Sequence, residues 1–215
     1  LRLEAGAIGT RLGTYRDVGL PYGPRARLVL LHLMSEAVRT QSPVVEVADS
    51  FTAFARQLGL ATTGRNLRTL RSQVLRMSLV SMRLSKSYGS HLDQFHGPVF
   101  DKLRVDFPAS ADQLGLWTSI VSFSDSFYKS LAANAVPLRK CAIAALKHSS
   151  RALDIYCWLA YRSYRVDKPY LLTWDVLRDQ FGTPTQNKAS FKRAFTTALR
   201  QVLMVYPECK VKLIK

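Results

Sequence analysis

The chain has 215 residues, 47% of them hydrophobic, and carries a formal net charge of +16 from 31 Lys and Arg against 15 Asp and Glu. This apolar content excludes a disordered basic tail, and no apolar run approaches the ~18 residues that would cross a bilayer. Both halves of the chain are basic, so nucleic acid is the first class of partner indicated and an anionic membrane surface the second.

The first 23 residues are rich in glycine and poorly periodic, which predicts an N-terminal arm or linker that packs late or not at all. Because residue 1 is Leu, we expect a leader to precede it. Pro24 is a good first-turn residue, and apolar positions then recur at helical spacing to about Arg39. A short extended segment of β-branched residues is expected at Val44–Val47.

A short helix, a turn with glycine and a longer basic helix follow, which is the helix-turn-helix plan. Ser50 is the expected N-cap of the short helix, and the basic helix is expected over residues 65–80. Its polar face is predicted to contact DNA through Arg65, Arg68, Ser72 and Arg76. Two strand-like runs, Ser81–Ser87 and Val99–Phe107, would form a wing with Gly89–Pro98 at its tip. Residues 24–123 are therefore predicted to form a winged-helix domain.

The order of elements in residues 24–107 recurs in residues 137–215, and we predict residues 124–215 to be a second winged-helix domain. The boundary is placed at the helix that Ser124 caps, or at the turn before Pro137, and a strand over 116–123 precedes it. The further expected elements are helices over 138–148 and 149–165, a short strand at 170–173, a helix over 174–181 and a wing strand at 210–214. The second strand of that wing is expected to be missing or made elsewhere.

The second basic helix, predicted over Asn187–Tyr206, has two distinct faces at 100° per residue. One face is apolar and aromatic. The other carries the predicted DNA-contacting residues Lys188, Lys192, Arg193, Thr196, Thr197 and Arg200. A helix that needed only solubility would normally mix both signs of charge, yet no acid lies between Asn187 and Pro207. The pattern favours a helix that reads the DNA major groove, and the alternative is an ordinary solvated basic face.

Catalytic and metal-binding interpretations find little support in the residues. Gly182–Ser190 resembles a phosphate-binding loop only faintly, because Asn187 replaces the glycine that Walker A requires before its lysine. His91 and His96, with Asp93 between them, lack the further ligands of a metal site. Tyr128 would suit a rolling-circle nucleophile, but no HxH metal motif accompanies it. We expect no enzyme activity, no cofactor and no metal.

The three cysteines, Cys141, Cys157 and Cys209, are odd in number and form no CxxC pair. Reduced thiols in a cytosolic compartment are the economical interpretation. Trp158, Tyr161 and Tyr164 are expected to serve packing in the core and between domains rather than base stacking.

A family resemblance is carried by residues 122–165 and 174–182. Its most specific parts are AVPLR at Ala135–Arg139 and SSRALDIYCWLAYR at Ser149–Arg162, and LLHLMSEAVRTQSP at Leu30–Pro43 fits the same pattern. Over about residues 25–210 the sequence resembles plasmid-encoded replication initiators of the RepA type.

The resemblance implies an α+β, predominantly helical fold of two tandem winged-helix domains that bind repeated origin sequences, called iterons, on double-stranded DNA. It also implies a homodimeric repressor form, a first domain that alternates between dimer and phosphate contact, recruitment of the host initiator and replicative helicase, and a bacterial cytoplasmic location. Two alternatives stay open: a winged-helix transcriptional repressor without an initiator role, and an enzyme that nicks DNA.

Overall fold

A computed structural model describes residues 2–9, 13–88, 91–104, 120–163, 165–166, 168–183 and 185–214. The chain divides into a first unit, Leu1–Ala135, and a second unit, Val136–Lys215. The expected mixture of helices and strands is confirmed, with eight helices and eight strands in the described residues. None of the described helices is long and apolar enough to cross a membrane.

The first unit contains four helices and all eight described strands. The helices are α1 (Gly23–Thr40), α2 (Phe51–Gln57), α3 (Gly64–Ser78) and α4 (Asp125–Asn134). The strands are β1 (Arg2–Glu4), β2 (Ala7–Gly9), β3 (Tyr15–Asp17), β4 (Val44–Glu46), β5 (Ser81–Tyr88), β6 (His91–Pro98), β7 (Phe100–Arg104) and β8 (Ile120–Phe123). They form antiparallel sheets in the orders β1-β5-β6, β2-β3 and β4-β8-β7.

Side-chain caps mark where two helices of the first unit, α2 and α3, begin. The Ser50 hydroxyl accepts a hydrogen bond from the Ala53 amide at 3.0 Å, and Thr63 caps α3 through the Asn66 amide at 3.4 Å. These bonds satisfy amides that have no partner within the helix. The predicted order of a short helix, a turn and a longer basic helix is thus confirmed within one or two residues.

The core of the first unit lies between the helices and the β4-β8-β7 sheet. Leu33, Phe54, Leu70 and Phe123 are each at most 3% exposed. Phe123 packs its ring 4.9 Å from Phe100 and 5.4 Å from Phe127, measured between ring centroids. Helix α4 therefore belongs to the first unit, which ends at Ala135, beside the turn before Pro137 that is the second of the two expected boundaries. Although Ser124 is the N-cap residue, its hydroxyl donates to the Pro98 carbonyl rather than capping α4.

The hairpin after α3 differs from the prediction. Strand β5 pairs with β6 from Ser81↔Pro98 to Tyr88↔His91, so the segment expected at the wing tip is mostly a strand. The residues expected to pair with β5, from Val99 onward, instead form β7 against β8. The reason is local: a connection between residues 88 and 91 closes a hairpin at lower entropic cost than a longer loop. Residues 105–119, including part of two predicted strands, lie outside the described residues.

The N-terminal arm, expected to pack late or not at all, is packed in its described residues, where β1 extends the hairpin sheet. Strand β1 pairs with β5, and the Glu4 carboxylate lies 3.1 Å from Arg83 Nε and 3.8 Å from His96 Nε2. The Tyr22 amide donates to the buried Gln73 side chain at 2.7 Å. The glycine content of this segment suggests a flexible chain, but at Gly6 the missing side chain allows the backbone of the arm to lie against Leu79. A methyl group at Gly6 would overlap the Leu79 carbonyl oxygen.

Replacing Gly6 by alanine is expected to loosen the arm and to destabilise the first unit by about 1–3 kcal/mol, because the added methyl would also lie 2.8 Å from Leu79 Cβ. Thermal unfolding and the rate of proteolytic cleavage within the first 20 residues measure this. Gly9→Ala is the matched control, since its methyl would meet only Tyr15, at 3.9 Å. Equal behaviour of the two variants would contradict the packed arm.

The second unit consists of helices in the described residues. They are α5 (Lys140–Leu146), α6 (Ser150–Ser163), α7 (Trp174–Phe181) and α8 (Lys188–Val205). Two predicted strands are absent, since neither Tyr170–Thr173 nor Lys210–Ile214 has strand pairing. Charged and apolar residues do alternate in Lys210–Ile214, but no neighbouring strand is present among the described residues to pair with this segment.

Helices α6 and α8 supply the core of the second unit. Leu153, Ile155, Phe191 and Val202 are all fully buried at 0% exposure. The Tyr156 hydroxyl accepts a hydrogen bond from the Arg139 amide at 2.9 Å. Trp158 packs edge-on against Phe181, with 5.4 Å between ring centroids. Packing within this unit explains Trp158, as predicted, whereas Tyr161 is 38% exposed and Tyr164 is outside the described residues.

Candidate nucleic-acid interface

Helix α8 is the longest helix of the second unit, and its boundaries match the sequence prediction within one residue at each end. Its interior has no proline or glycine, and the Asn187 side chain accepts a hydrogen bond from the Ser190 amide at 2.8 Å. Phe191, Phe195 and Leu199 bury the inner face at 0–3% exposure. A helix anchored this firmly holds its outer face in a fixed direction.

The outer face of α8 carries the predicted DNA-contacting residues. Lys188, Arg193, Thr197 and Arg200 are exposed there. A single open groove of about 450 Å³ is lined by Lys192, Arg193, Thr196, Thr197 and Arg200, together with Trp174, Leu213 and Ile214. Five of the six predicted residues of this helix therefore share one surface.

Two lysines on α8 are held at one edge of that face. Lys188 Nζ donates to the Asp175 carboxylate at 2.8 Å, and Lys192 Nζ lies 5.2 Å from the centroid of the Trp174 ring. Trp174 packs edge-on against Phe195, with 6.0 Å between centroids. The hydrogen bond from Lys188 holds the pKa of Asp175 below its usual range. Helix α7 thus fixes the direction in which both ammonium groups point.

The two arginines of the face are less constrained. Among the described residues, neither Arg193 nor Arg200 has an ion pair or a side-chain hydrogen bond. The Thr197 hydroxyl donates to the Arg193 carbonyl at 3.0 Å, so towards solvent it offers an acceptor and a methyl group. Guanidinium groups with five free donors can pair bidentately with guanine O6 and N7.

Sequence reasoning missed Trp174, Asp175, Leu213 and Ile214 as neighbours of this face. Leu213 and Ile214, at 47% and 72% exposure, line the groove from the C-terminal segment. A signal was present in the exposed alternation of Lys210–Ile214, which was interpreted as a strand. An acid thirteen residues before Lys188 gave no periodic signal, because α7 and α8 meet only through tertiary packing.

The basic face of α3 is partly covered. Arg65 and Arg68 are exposed, as predicted, whereas Ser72 and Arg76 are half-buried. Arg76 donates to the Leu20 carbonyl at 3.4 Å, and its guanidinium lies 5.2 Å from the centroid of the Tyr22 ring. The N-terminal arm thus covers part of Arg76 and accepts one hydrogen bond from its guanidinium. The open cations of the predicted set lie in the first half of α3.

No group of three metal-ligating side chains occurs among the residues whose side chains are described. His96 lies beside Glu4, and the side chains of His91 and Asp93 fall outside that set. Cys141 is exposed, whereas burial raises the pKa of Cys157 to about 12. A thiol with such a pKa stays protonated near neutral pH and is a poor nucleophile.

Replacing Asp175 by asparagine is expected to release Lys188 and to strengthen binding to any DNA sequence. The reason is that the variant removes a negative charge beside the basic face. Its salt slope, d log K/d log [salt], should become steeper by about one unit. Titrations of labelled duplex by fluorescence anisotropy at several salt concentrations measure both quantities.

Asp179→Asn is the matched control for this variant, because Asp179 is exposed on the same helix and has no ion pair among the described residues. Tighter binding by both variants alike would contradict the specific role of Asp175. Because the hydrogen bond from Lys188 lowers the pKa of Asp175, the ion pair between them is present above the ordinary carboxyl pKa. It is lost as the pH falls through the lowered value.

Comparison with known proteins identifies the family of this chain. The profile of the family described as plasmid encoded RepA protein matches residues 20–176. The chain belongs to the plasmid-encoded RepA family of replication initiators. The match ends inside α7 and does not extend over α8. No curated protein sequence matches the chain significantly.

Solved structures with a similar fold include domains 2 and 3 of RctB. A crystal structure of RctB residues 155–483 matches with a TM-score of 0.57 and 11% identity, over 94% of this chain and 78% of the other. A selenomethionine derivative of the same two domains matches with a TM-score of 0.60 and 11% identity, over 93% of this chain and 78% of the other. At this identity the similarity concerns only the fold.

Proposed function

We propose that this protein initiates plasmid replication by binding repeated origin sequences, with the outer face of α8 in the major groove of double-stranded DNA. The observation that carries the proposal is the shared groove of Lys192, Arg193, Thr196, Thr197 and Arg200 on a helix without acids. Membership of the RepA family supports the initiator role.

In this proposal the two units act as tandem winged helices. In the first unit, α2 and α3 form the helix-turn-helix, and β5 and β6 form the wing. Arg65 and Arg68 contact phosphates, because they are the exposed members of the predicted set on α3. In the second unit, α7 and α8 form the corresponding pair, and no paired wing accompanies them among the described residues.

The chemistry of the second unit assigns different tasks to its cations. Lys188 and Lys192 are held at the edge of α8, where a phosphate backbone would pass, and a point charge suffices for that contact. Arg193 and Arg200 lie along the side of α8 that is opposite its buried face, here called the outermost line, where base edges would be read. Lys188→Ala should therefore weaken binding to all sequences similarly, whereas changes at the arginines should alter sequence preference.

We further propose that the protein acts without catalysis, cofactor or metal, forms a homodimer as a repressor of its own gene, and recruits the host initiator and replicative helicase in the bacterial cytoplasm. The proposal of a non-catalytic role is tested with supercoiled origin DNA and divalent metal. Nicking that Tyr128→Phe abolishes would overturn it.

The main test is a footprint on plasmid origin DNA combined with an origin-dependent replication assay. Two DNA-bound modules about one helical turn apart should protect about 20 base pairs, and about six to eight phosphate contacts should give a salt slope of roughly −5 to −7. Protection of half that length, or a flat salt response, would contradict two DNA-bound units. Specific binding without replication would instead favour a transcriptional repressor.

A further inference from the structure

We infer that α8 reads two G·C base pairs two steps apart, one through Arg193 and the other through Arg200. This inference rests on the proposed function, and it deepens that proposal by stating what the recognised sequence must contain. The inference follows from three observations. These are the helical spacing of the two arginines, the contacts that hold the lysines of α8, and the residues four positions before Arg193 and after Arg200.

The two arginines are seven residues apart on a regular helix. At 100° per residue this places them about 20° from the same direction, and at 1.5 Å per residue they are about 10.5 Å apart along the axis. In major-groove helices such as those of zinc fingers, residues about three positions apart contact successive bases, so seven residues correspond to about two base-pair steps. A helix lying along the major groove would therefore bring each guanidinium to its own base pair with one pair between them.

The surrounding residues limit strong base contacts to these two positions. Extending the line by four residues in each direction reaches Ala189 and Met204, of which Met204 is 84% exposed. Neither offers a hydrogen-bond donor of the kind that distinguishes guanine. Between the arginines, the Thr197 hydroxyl already donates to the Arg193 carbonyl, so that site presents only a methyl group and an acceptor.

The lysines on the same helix are not competitors for these bases. Lys188 is hydrogen-bonded to Asp175, and Lys192 lies over the Trp174 ring at 5.2 Å. Both contacts direct the ammonium groups towards α7 and away from the outermost line. Since arginine pairs bidentately with guanine O6 and N7, two free arginines specify two G·C pairs, with weak selection at the position between them.

The test is selection of bound sites from random duplex DNA by the full 215-residue chain and by Arg193→Ala, Arg200→Ala and Lys188→Ala variants. The wild-type chain should enrich a motif with two strongly selected G·C pairs separated by one weakly selected pair. Each arginine variant should lose preference at one of the two G·C pairs only, with a loss in affinity for the wild-type motif of about 10- to 100-fold. Lys188→Ala should enrich the unchanged motif. Circular dichroism checks that each variant is folded.

The outcomes separate this inference from the proposed function. A motif that lacks the two G·C pairs at this spacing, or whose G·C preferences survive both arginine changes, would overturn the inference and leave sequence-specific binding intact. Failure of the wild-type chain to enrich any motif would overturn both. Loss of both G·C preferences in a single variant that remains folded would show that the two arginines do not read separate base pairs.

Discussion

The double variant Arg193→Ala, Arg200→Ala is expected to lose about 30-fold or more in affinity for its specific DNA site, because each bidentate arginine–guanine contact contributes about 1–3 kcal/mol. Affinity for random DNA should fall much less, since the lysines held near α7 remain. Both side chains are exposed, so the free energy of unfolding should change little. Parallel titrations of specific and random duplexes measure the two affinities.

The control for charge is the double variant Lys140→Ala, Lys168→Ala. Both lysines are exposed in the second unit and lie outside α8, and their removal lowers the net charge by the same two units. This control should weaken specific and random binding by the same small factor. If the arginine variant behaved like the lysine control, the arginines would act only through their charge and would not read bases.

Replacing Phe195 by alanine is expected to destabilise the second unit by about 3–5 kcal/mol, the cost of removing a buried aromatic ring. Phe195 is 2% exposed and contacts the rings of Trp174, Phe181 and Phe191, with centroids 5.5–6.0 Å apart. Loss of this ring removes the support beneath the basic face, so specific DNA binding should fall as well. Urea unfolding followed by tryptophan emission measures the change, because Trp174 lies against the mutated site.

Val176→Ala is the control for this core variant. Val176 lies on α7 and is 49% exposed, so truncation should change stability by about 0.5 kcal/mol or less. A Phe195→Ala protein as stable as this control would show that the aromatic cluster does not anchor α8. Binding that survived severe destabilisation would show that the outer face works without that anchor.

The elements that sequence reasoning located well are those whose signals are local. Helix α8 was predicted over 187–206 and is observed over Lys188–Val205, because its apolar stripe is continuous and Asn187 caps it. Ser50 is likewise the cap of α2. Capping bonds and apolar periodicity depend on residues three or four positions apart, so they can be recognised in a sequence.

The elements that were missed depend on partners far along the chain. Strand β1 exists because β5 accepts it, about 80 residues later, and nothing in residues 2–4 indicates that pairing. Lys210–Ile214 shows the reverse case, in which an alternating pattern has no partner strand among the described residues. Alternation states which side chains share a face, but pairing requires an available edge.

The sequence predicts which side chains of α8 are exposed, but not the contacts that hold some of the basic side chains in place. Exposure of Arg193, Thr197 and Arg200 follows from the helical period. The pairing of Lys188 with Asp175, and the covering of Arg76 by the arm, join residues 13 and 56 positions apart. These contacts decide which cations are free, and tertiary packing creates them.

The most direct test of major-groove reading by α8 is protection of guanine N7 from dimethyl sulfate in the specific complex, since N7 faces the major groove. We expect two base pairs two steps apart to have protected guanines, one of which becomes reactive again in Arg193→Ala and the other in Arg200→Ala. Protection unchanged by both substitutions, or full reactivity at every guanine of a saturated site, would contradict the placement of α8 in that groove.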